Sequence, residues 1–411
     1  MNPERPAARR ARTTLGMDRS DMVKKTINCM HYLWLLVQYG FFFVLSRFTK
    51  KYRDLWLFSE RTLDARDNAW LLFRHLRTAH PEIPCAFVID RESPDYEKVR
   101  AIGKTIQPGS FEHNLAFAAA GVKISTHIMG FAPDRYRFAI LDRYLSLVKG
   151  KKVMLQHGVT GNLPAELRFP RARLDLLVCS TVPEYEMVCR DFGHPAGVAQ
   201  LIGMCRFDQL FSPHEIKRQV LIMPTWRKTL KDLDAEAFLQ TDYYRCINGL
   251  LSDARLLSIL ETYDLKAVLY LHFALQHRSS LFRAGSDRVE IRTIHDADIQ
   301  GLLKESQLLI TDYSSVQFDF AYMEKPLLYW QFDEEAFFST QYGRGQFDYR
   351  RDGFGPVIDT ADTAPVLDFV EAEARNQMQM LPEYKERSKI CFAEKRGDHC
   401  EQTFRAIRSL L

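Results

Sequence analysis

Residues 308–330 read LLITDYSSVQFDFAYMEKPLLYW: an apolar run, a polar turn, an amphipathic stretch, and a second apolar run after Lys325-Pro326. Apolar runs without polar alternation imply strands covered on both faces, hence parallel sheets joined by crossover helices. Here Leu308–Ile310 is the strand, Thr311–Tyr313 the turn and Ser314 the expected helix N-cap. Gln317, three residues on, would complete an S-x-x-Q capping box. Such a helix start offers unpaired N–H groups and a positive dipole end. With the Ser314 and Ser315 hydroxyls it suits a diphosphate. Asp319 shares the face of Ser315 and could accept hydrogen bonds from sugar or glycerol hydroxyls. A plain capped helix accounts for the same letters.

The pattern repeats along the chain. LWLFSE, CAFVID, VKISTH, KVMLQHG and LDLLVCST form one set of runs after residue 54. VLIMPTW, KAVLYLH, VEIRT, LLITDYSS and PLLYWQF form another, after a break near 195–218. The reading is α/β: two facing, Rossmann-like, doubly wound domains, 53–215 and 216–411, the second including the terminal helices. In such sheets ligands lie beyond the carboxyl ends of the strands, so the residues just after each run matter most. The 411 residues suffice for two cores, and the net charge of +4 is too small to argue for nucleic acid. Eight cysteines form no C-x-x-C pair and read as reduced thiols.

The N-terminal part, 1–52, differs. A basic arm (Arg5, Arg9, Arg10, Arg12, Arg19, Lys24, Lys25) precedes TINCMHYLWLLVQYGFFFVLS, and Arg47, Lys50, Lys51 and Arg53 follow it. The stretch approaches the ~20 residues that span a bilayer. His31, Gln38 and Gly40 interrupt it, aromatics dominate it and both flanks are basic. Those features favour a helix lying in the interface on anionic headgroups over a spanning one. A membrane surface is therefore an expected partner.

At the strand ends, KVML is followed by Gln156, His157, Gly158, Val159, Thr160 and Gly161. The glycines permit close ligand approach, and a neutral His157 could take a proton from an acceptor hydroxyl. An incidental loop histidine reads the same in isolation. The second half ends its strands with Thr225, Trp226, Arg227 and Lys228, and with His272, while GMCRFD supplies Arg206 and Asp208. Arginine offers phosphate a bidentate fork. Each has an ordinary structural explanation; their shared position at strand ends is what gives them weight.

TDYSSVQFDFAYMEKPLLYWQFD resembles the signature of the CDP-glycerol glycerophosphotransferases, the teichoic-acid and capsule polymerases, in which T-D-Y-S-S is followed by F-D and K-P. PTWR, QHG, GMCRFD and His272 resemble further motifs of that family, and the likeness runs from about 54 to 335. It implies a GT-B fold, a donor site in the C-terminal half and monotopic attachment at the cytoplasmic face of the bacterial membrane. By that resemblance the substrate contacts would be Gln156, Gly158, Val159, Thr160, Arg206, Thr225, Trp226, Arg227, Ser314, Ser315 and Asp319, with His157 and His272 catalytic. Gln156, Val159-Thr160, Cys205 and Phe273 depart from the family pattern, which bears on the polyol and acceptor.

The expected reaction is transfer of glycerol phosphate from CDP-glycerol to a hydroxyl of a polymer or lipid-linked primer, with release of CMP. His157 would be the base, and His272, Arg206 and Arg227 would stabilise the diphosphate. No carboxylate cluster demands a metal, although magnesium would be compatible. CDP-ribitol as donor, or a nucleotide sugar on the same fold, are the alternatives.

Overall fold

The computed structural model describes residues 19–48, 50–161, 164–341, 344–392 and 397–411, with side chains from 27 onward. Most of the expected basic arm, through Asp18, lies outside the described residues.

Among the described residues, thirteen strands form two sheets. β1 (Trp56–Ser59), β2 (Cys85–Val88), β3 (Lys104–Ile106), β4 (Val122–Ser125), β5 (Lys151–Met154), β6 (Leu176–Cys179) and β7 (Ala199–Leu201) make a seven-stranded sheet in the order β3-β2-β1-β4-β5-β6-β7. β8 (Gln219–Met223), β9 (Lys266–Tyr270), β10 (Val289–Arg292), β11 (Leu308–Thr311), β12 (Leu327–Trp330) and β13 (Val357–Ile358) make a six-stranded one in the order β10-β9-β8-β11-β12-β13. Every pairing is parallel, for example Trp56 beside Cys85 and Leu308 beside Val220. Strand order reverses between β1 and β4 and between β8 and β11. Loops leaving those strands therefore splay apart at their carboxyl ends and open a crevice.

All ten apolar runs in the sequence are strands. The three that the sequence reading missed, β3, β7 and β13, are two or three residues long and lie at sheet edges. Their residues are mostly half-buried at the rims of the sheets, so they need no continuous apolar run.

Two further expectations are corrected. The helix after β11 spans Val316–Tyr322, and its N-cap is Ser315, not Ser314, with no side-chain cap bond. The capping box does not form, because Gln317 is buried and its Oε1 accepts from the Tyr329 hydroxyl at 2.5 Å. The last helix, His399–Arg408, does not stay with the second domain. Cys400, Phe404 and Ile407 join the core around Trp56 and Phe73 of the first. Asp208 fixes this return by accepting from the backbone N–H groups of His399 and Cys400 at 2.7 and 2.8 Å.

The first helix, α1 (Arg19–Arg47), packs one face on the first domain. Leu35, Tyr39 and Phe42 are buried there, with Tyr39 ring contacts to Phe117 and Phe138 at 5.5 and 5.6 Å. Ile27, Met30, Trp34, Val37, Phe41 and Val44 recur at helical spacing on the opposite face and are 58–66% exposed. By length and composition, Ile27–Arg47 could cross a membrane.

Candidate active site

The loops after β1, β4 and β5 meet those after β8, β9 and β11. The turn after β5 begins with Gln156 at φ 59, the left-handed region that few side chains adopt. That reversal sends Gln156 inward and leaves His157 exposed. The Gln156 side chain donates to the Val178 carbonyl and to Glu184, both at 2.9 Å, and accepts from the Thr160 hydroxyl at 2.5 Å. Its side chain is thus an internal strut and does not face a substrate. Glu184 completes the strut by accepting from the backbone N–H groups of Thr160 and Ser180, both at 2.6 Å. Burial pushes its carboxyl up to about 7.

The His157 ring lies parallel to that of His127, centroids 4.5 Å apart and 1° between planes. Its Nδ1 is 3.4 Å from the Thr126 carbonyl, which can only accept, a contact that in a neutral ring favours the tautomer with the proton on Nδ1 and the lone pair on Nε2. Burial, then the neighbouring His157, Arg135 and Arg61, push the His127 imidazole down to about 3. His272, after β9, stacks on Trp226 at 5.8 Å and 14°; burial and Arg61 push it down to about 4. Arg61, just after β1, thus acts on imidazoles from both domains. Its guanidinium also lies 5.0 Å from the Phe273 ring centroid and pairs with Asp64 at 2.8 Å.

Gly158 touches the other domain directly. A Cβ built on it would lie 2.6 Å from Oγ and 3.2 Å from Cβ of Ser315. The histidine turn of one domain therefore abuts the serine pair of the other, both serines being partly exposed. Val159 and Thr160 line a cavity of about 240 Å³ with Phe318, Phe347, Arg190 and Arg351.

The two arginines expected to grip the diphosphate are placed differently. Arg206 is 5% exposed and makes a bidentate pair with Asp319 at 2.6 and 2.8 Å. It also donates to Asp67 at 3.0 Å and to the His157 carbonyl at 2.9 Å. Arg227 is 4% exposed and donates to Asp333 at 2.6 and 2.9 Å, Asp312 at 2.9 Å and the Thr225 carbonyl at 2.6 Å. Burial alone would lower both guanidinium pKa values, but the paired carboxylates raise them above the ordinary arginine range. Asp319 is 1% exposed against Arg206, and Asp312 also accepts from the Thr225 N–H and hydroxyl at 2.9 and 2.7 Å. The site's floor is thus built from paired charges, and its accessible groups are His157, His272, Trp226, Ser314, Ser315 and Arg61. Of the groups that sequence reasoning missed, His127 and Arg61 do stand at strand ends. Glu184 and Asp333 carried no comparable signal.

Two parallel sheets whose strand-end loops meet define a two-domain α/β protein with its candidate site at the domain junction. The chain belongs to the CDP-Glycerol:Poly(glycerophosphate) glycerophosphotransferase family, whose pattern matches residues 40–407. It is 29% identical over 378 residues to the minor teichoic acid biosynthesis protein GgaB of Bacillus subtilis (strain 168), covering 89% of this chain and 41% of that one. A 55-residue segment is 46% identical to the teichoic acid glycerol-phosphate primase of Bacillus spizizenii, covering 13% of this chain and 14% of that one. The matched regions therefore cover less than half the length of these relatives. In fold it is similar to the wall teichoic acid polymerase TagF, with TM-score 0.66 at 16% identity over 95% of this chain and 98% of that one. It is also similar to a putative UDP-N-acetylglucosamine 2-epimerase from Listeria monocytogenes, with TM-score 0.53 at 14% identity over 87% and 96%.

Proposed function

We propose that the protein transfers glycerol phosphate from CDP-glycerol to a hydroxyl of a polyol-phosphate polymer or lipid-linked primer in teichoic acid biosynthesis. The observation that carries this reading is the contact of the His157-Gly158 turn with Ser315, within a junction lined by His127, His272 and Arg61. The acceptor hydroxyl gives its proton to Nε2 of His157 as its oxygen attacks the β-phosphorus. The bond from that phosphorus to the bridging oxygen breaks, and CMP departs with the electron pair. His272, Ser314 and Ser315 donate hydrogen bonds to the diphosphate, and Arg61 supplies positive charge. Arg206 and Arg227 hold the surrounding loops in place. Such preorganised donors are worth about 10²–10³ in rate each, and a positioned base about 10²–10⁴.

No metal is required in this scheme, because Asp67, Asp312, Asp319 and Asp333 are already paired with Arg206 and Arg227. Activity that persists in EDTA supports that part; loss that magnesium restores overturns it. Incubation with CDP-glycerol, CDP-ribitol and UDP-sugars in parallel, followed by CMP and UDP, tests the donor. CMP from CDP-glycerol supports the reading; release from CDP-ribitol alone or from a UDP-sugar replaces it.

The same proposal seats α1 in the plane of the cytoplasmic leaflet. One side of the helix is covered by protein, so lipid cannot surround it, while the exposed stripe from Ile27 to Val44 needs apolar cover. Tyr136, Ile140 and Tyr144 on the helix Arg135–Leu145 add a second exposed face, with Arg135 and Arg143 beside it.

A further inference from the structure

The last helix and α2 (Asn68–Ala79) share a cluster that the proposed reaction does not use. His75 on α2 and His80, which closes it, both direct Nε2 at one oxygen, Oε2 of Glu401, at 3.1 and 2.8 Å. The three donor atoms lie within 4.8 Å of one another. The side chains are 28%, 23% and 25% exposed, so an ion could reach them although each is held in place.

Two imidazoles converging on one carboxylate oxygen make a ligand set for a borderline divalent ion. At metal–ligand bonds of about 2.0–2.1 Å, tetrahedral donors stand about 3.3 Å apart. Both nitrogen–oxygen spacings, 3.1 and 2.8 Å, are shorter than that edge, so the carboxylate must move outward for an ion to enter. The imidazole lone pairs meet near the present position of Oε2, so loading requires the carboxylate to withdraw by about one metal–oxygen bond. Glutamate on a surface helix can do this by changing rotamer. Supporting contacts already orient the ligands. Glu82 Oε1 lies 3.7 Å from Nδ1 of His80, an ion-pair distance that a small approach would convert to the outer-carboxylate hydrogen bond common to metal-bound histidines. Phe404 stacks on His80 at 3.9 Å, and Arg405 occupies Oε1 of Glu401 at 2.9 Å, leaving Oε2 for the ion.

We propose that His75, His80 and Glu401 bind a zinc-type divalent ion that fastens the C-terminal helix to α2. The ion's role is to join two helices, with water as its fourth ligand. Its histidine ligands lie about 10 and 18 Å along α2, at about 1.5 Å per residue, from Asn68. Asn68 donates to the Gln156 carbonyl at 2.9 Å and accepts from the Arg206 N–H at 3.0 Å. The ion would thus steady a helix whose other end holds the floor of the cleft.

The test is titration of the untagged full chain with Co²⁺, read by visible absorption, then displacement by Zn²⁺ and thermal unfolding with Zn²⁺ or EDTA. The expected result is one ion per chain with tetrahedral d–d bands, displacement by one equivalent of Zn²⁺, and a melting temperature that rises with free Zn²⁺. His75→Ala, His80→Asn and Glu401→Gln should each weaken binding at least tenfold. Binding unchanged in all three would overturn the site. So would the absence of a saturable band from the wild-type chain, which stands even if a variant fails to fold.

Discussion

Arg206 separates two roles for the buried charges in this cleft, one in which it grips substrate and one in which it rivets the domains together. Its guanidinium reaches Asp319 on the second domain's helix, and Asp67 and the His157 carbonyl on the first. Arg206→Met leaves buried Asp319, and half-buried Asp67, without their cation. Breaking a buried pair in this way costs about 3–5 kcal/mol, because the stranded charge must be desolvated or protonated. Against a typical total of about 5–15 kcal/mol, the variant becomes marginal. Urea unfolding followed by tryptophan fluorescence and circular dichroism should show the loss. Adding Asp319→Leu should restore part of it, since an apolar replacement of a buried pair can be nearly neutral. If Arg206→Met unfolds within about 0.5 kcal/mol of wild type while the KM for CDP-glycerol rises tenfold or more, the arginine is a substrate contact and the rivet is wrong.

Other outcomes follow from the same geometry. Gly158→Ala should cut turnover about 10–100-fold with little loss of stability, because the new Cβ pushes the His157 turn off Ser315; unchanged turnover would mean that the two loops need not touch. Burial holds the His127 and His272 pKa values near 3 and 4, below the ordinary 6.5, so both should stay neutral in imidazole NMR spectra from pH 8 down to pH 5.5. The sign is that of a depressed pKa. The stability these groups contribute is complete above pH 6.5 and is lost as pH falls toward 4, because the unfolded chain takes up the protons. Trp34→Glu with Phe41→Glu should abolish co-sedimentation with anionic vesicles while leaving the fold intact; undiminished binding would remove α1 from the membrane reading.

The sheets were legible because a strand buried on both faces must be apolar throughout, as in VKISTH and LLITDYSS. β3, β7 and β13 escaped because edges relax that demand. The strand-end rule brought His157, His272, Ser314 and Ser315 to one junction. It could not say which charges face solvent, because Arg206 and Arg227 look the same in sequence whether they meet phosphate or carboxylate. Only the folded chain brings Asp333 beside Arg227 and Glu184 beneath Thr160. The S-x-x-Q signal failed for a packing reason: Tyr329 offers Gln317 a buried partner that the cap cannot match.

If an imidazole from the first domain deprotonates the acceptor while the second domain holds the donor, removing that imidazole must slow the chemistry and leave donor binding intact. Single-turnover CMP release from CDP-glycerol by His157→Ala, with thermal unfolding and donor affinity measured on the same sample, addresses it most directly. The rate should fall by about 10²–10⁴, with both controls close to wild type. Release at the wild-type rate from a folded, donor-bound variant would contradict it.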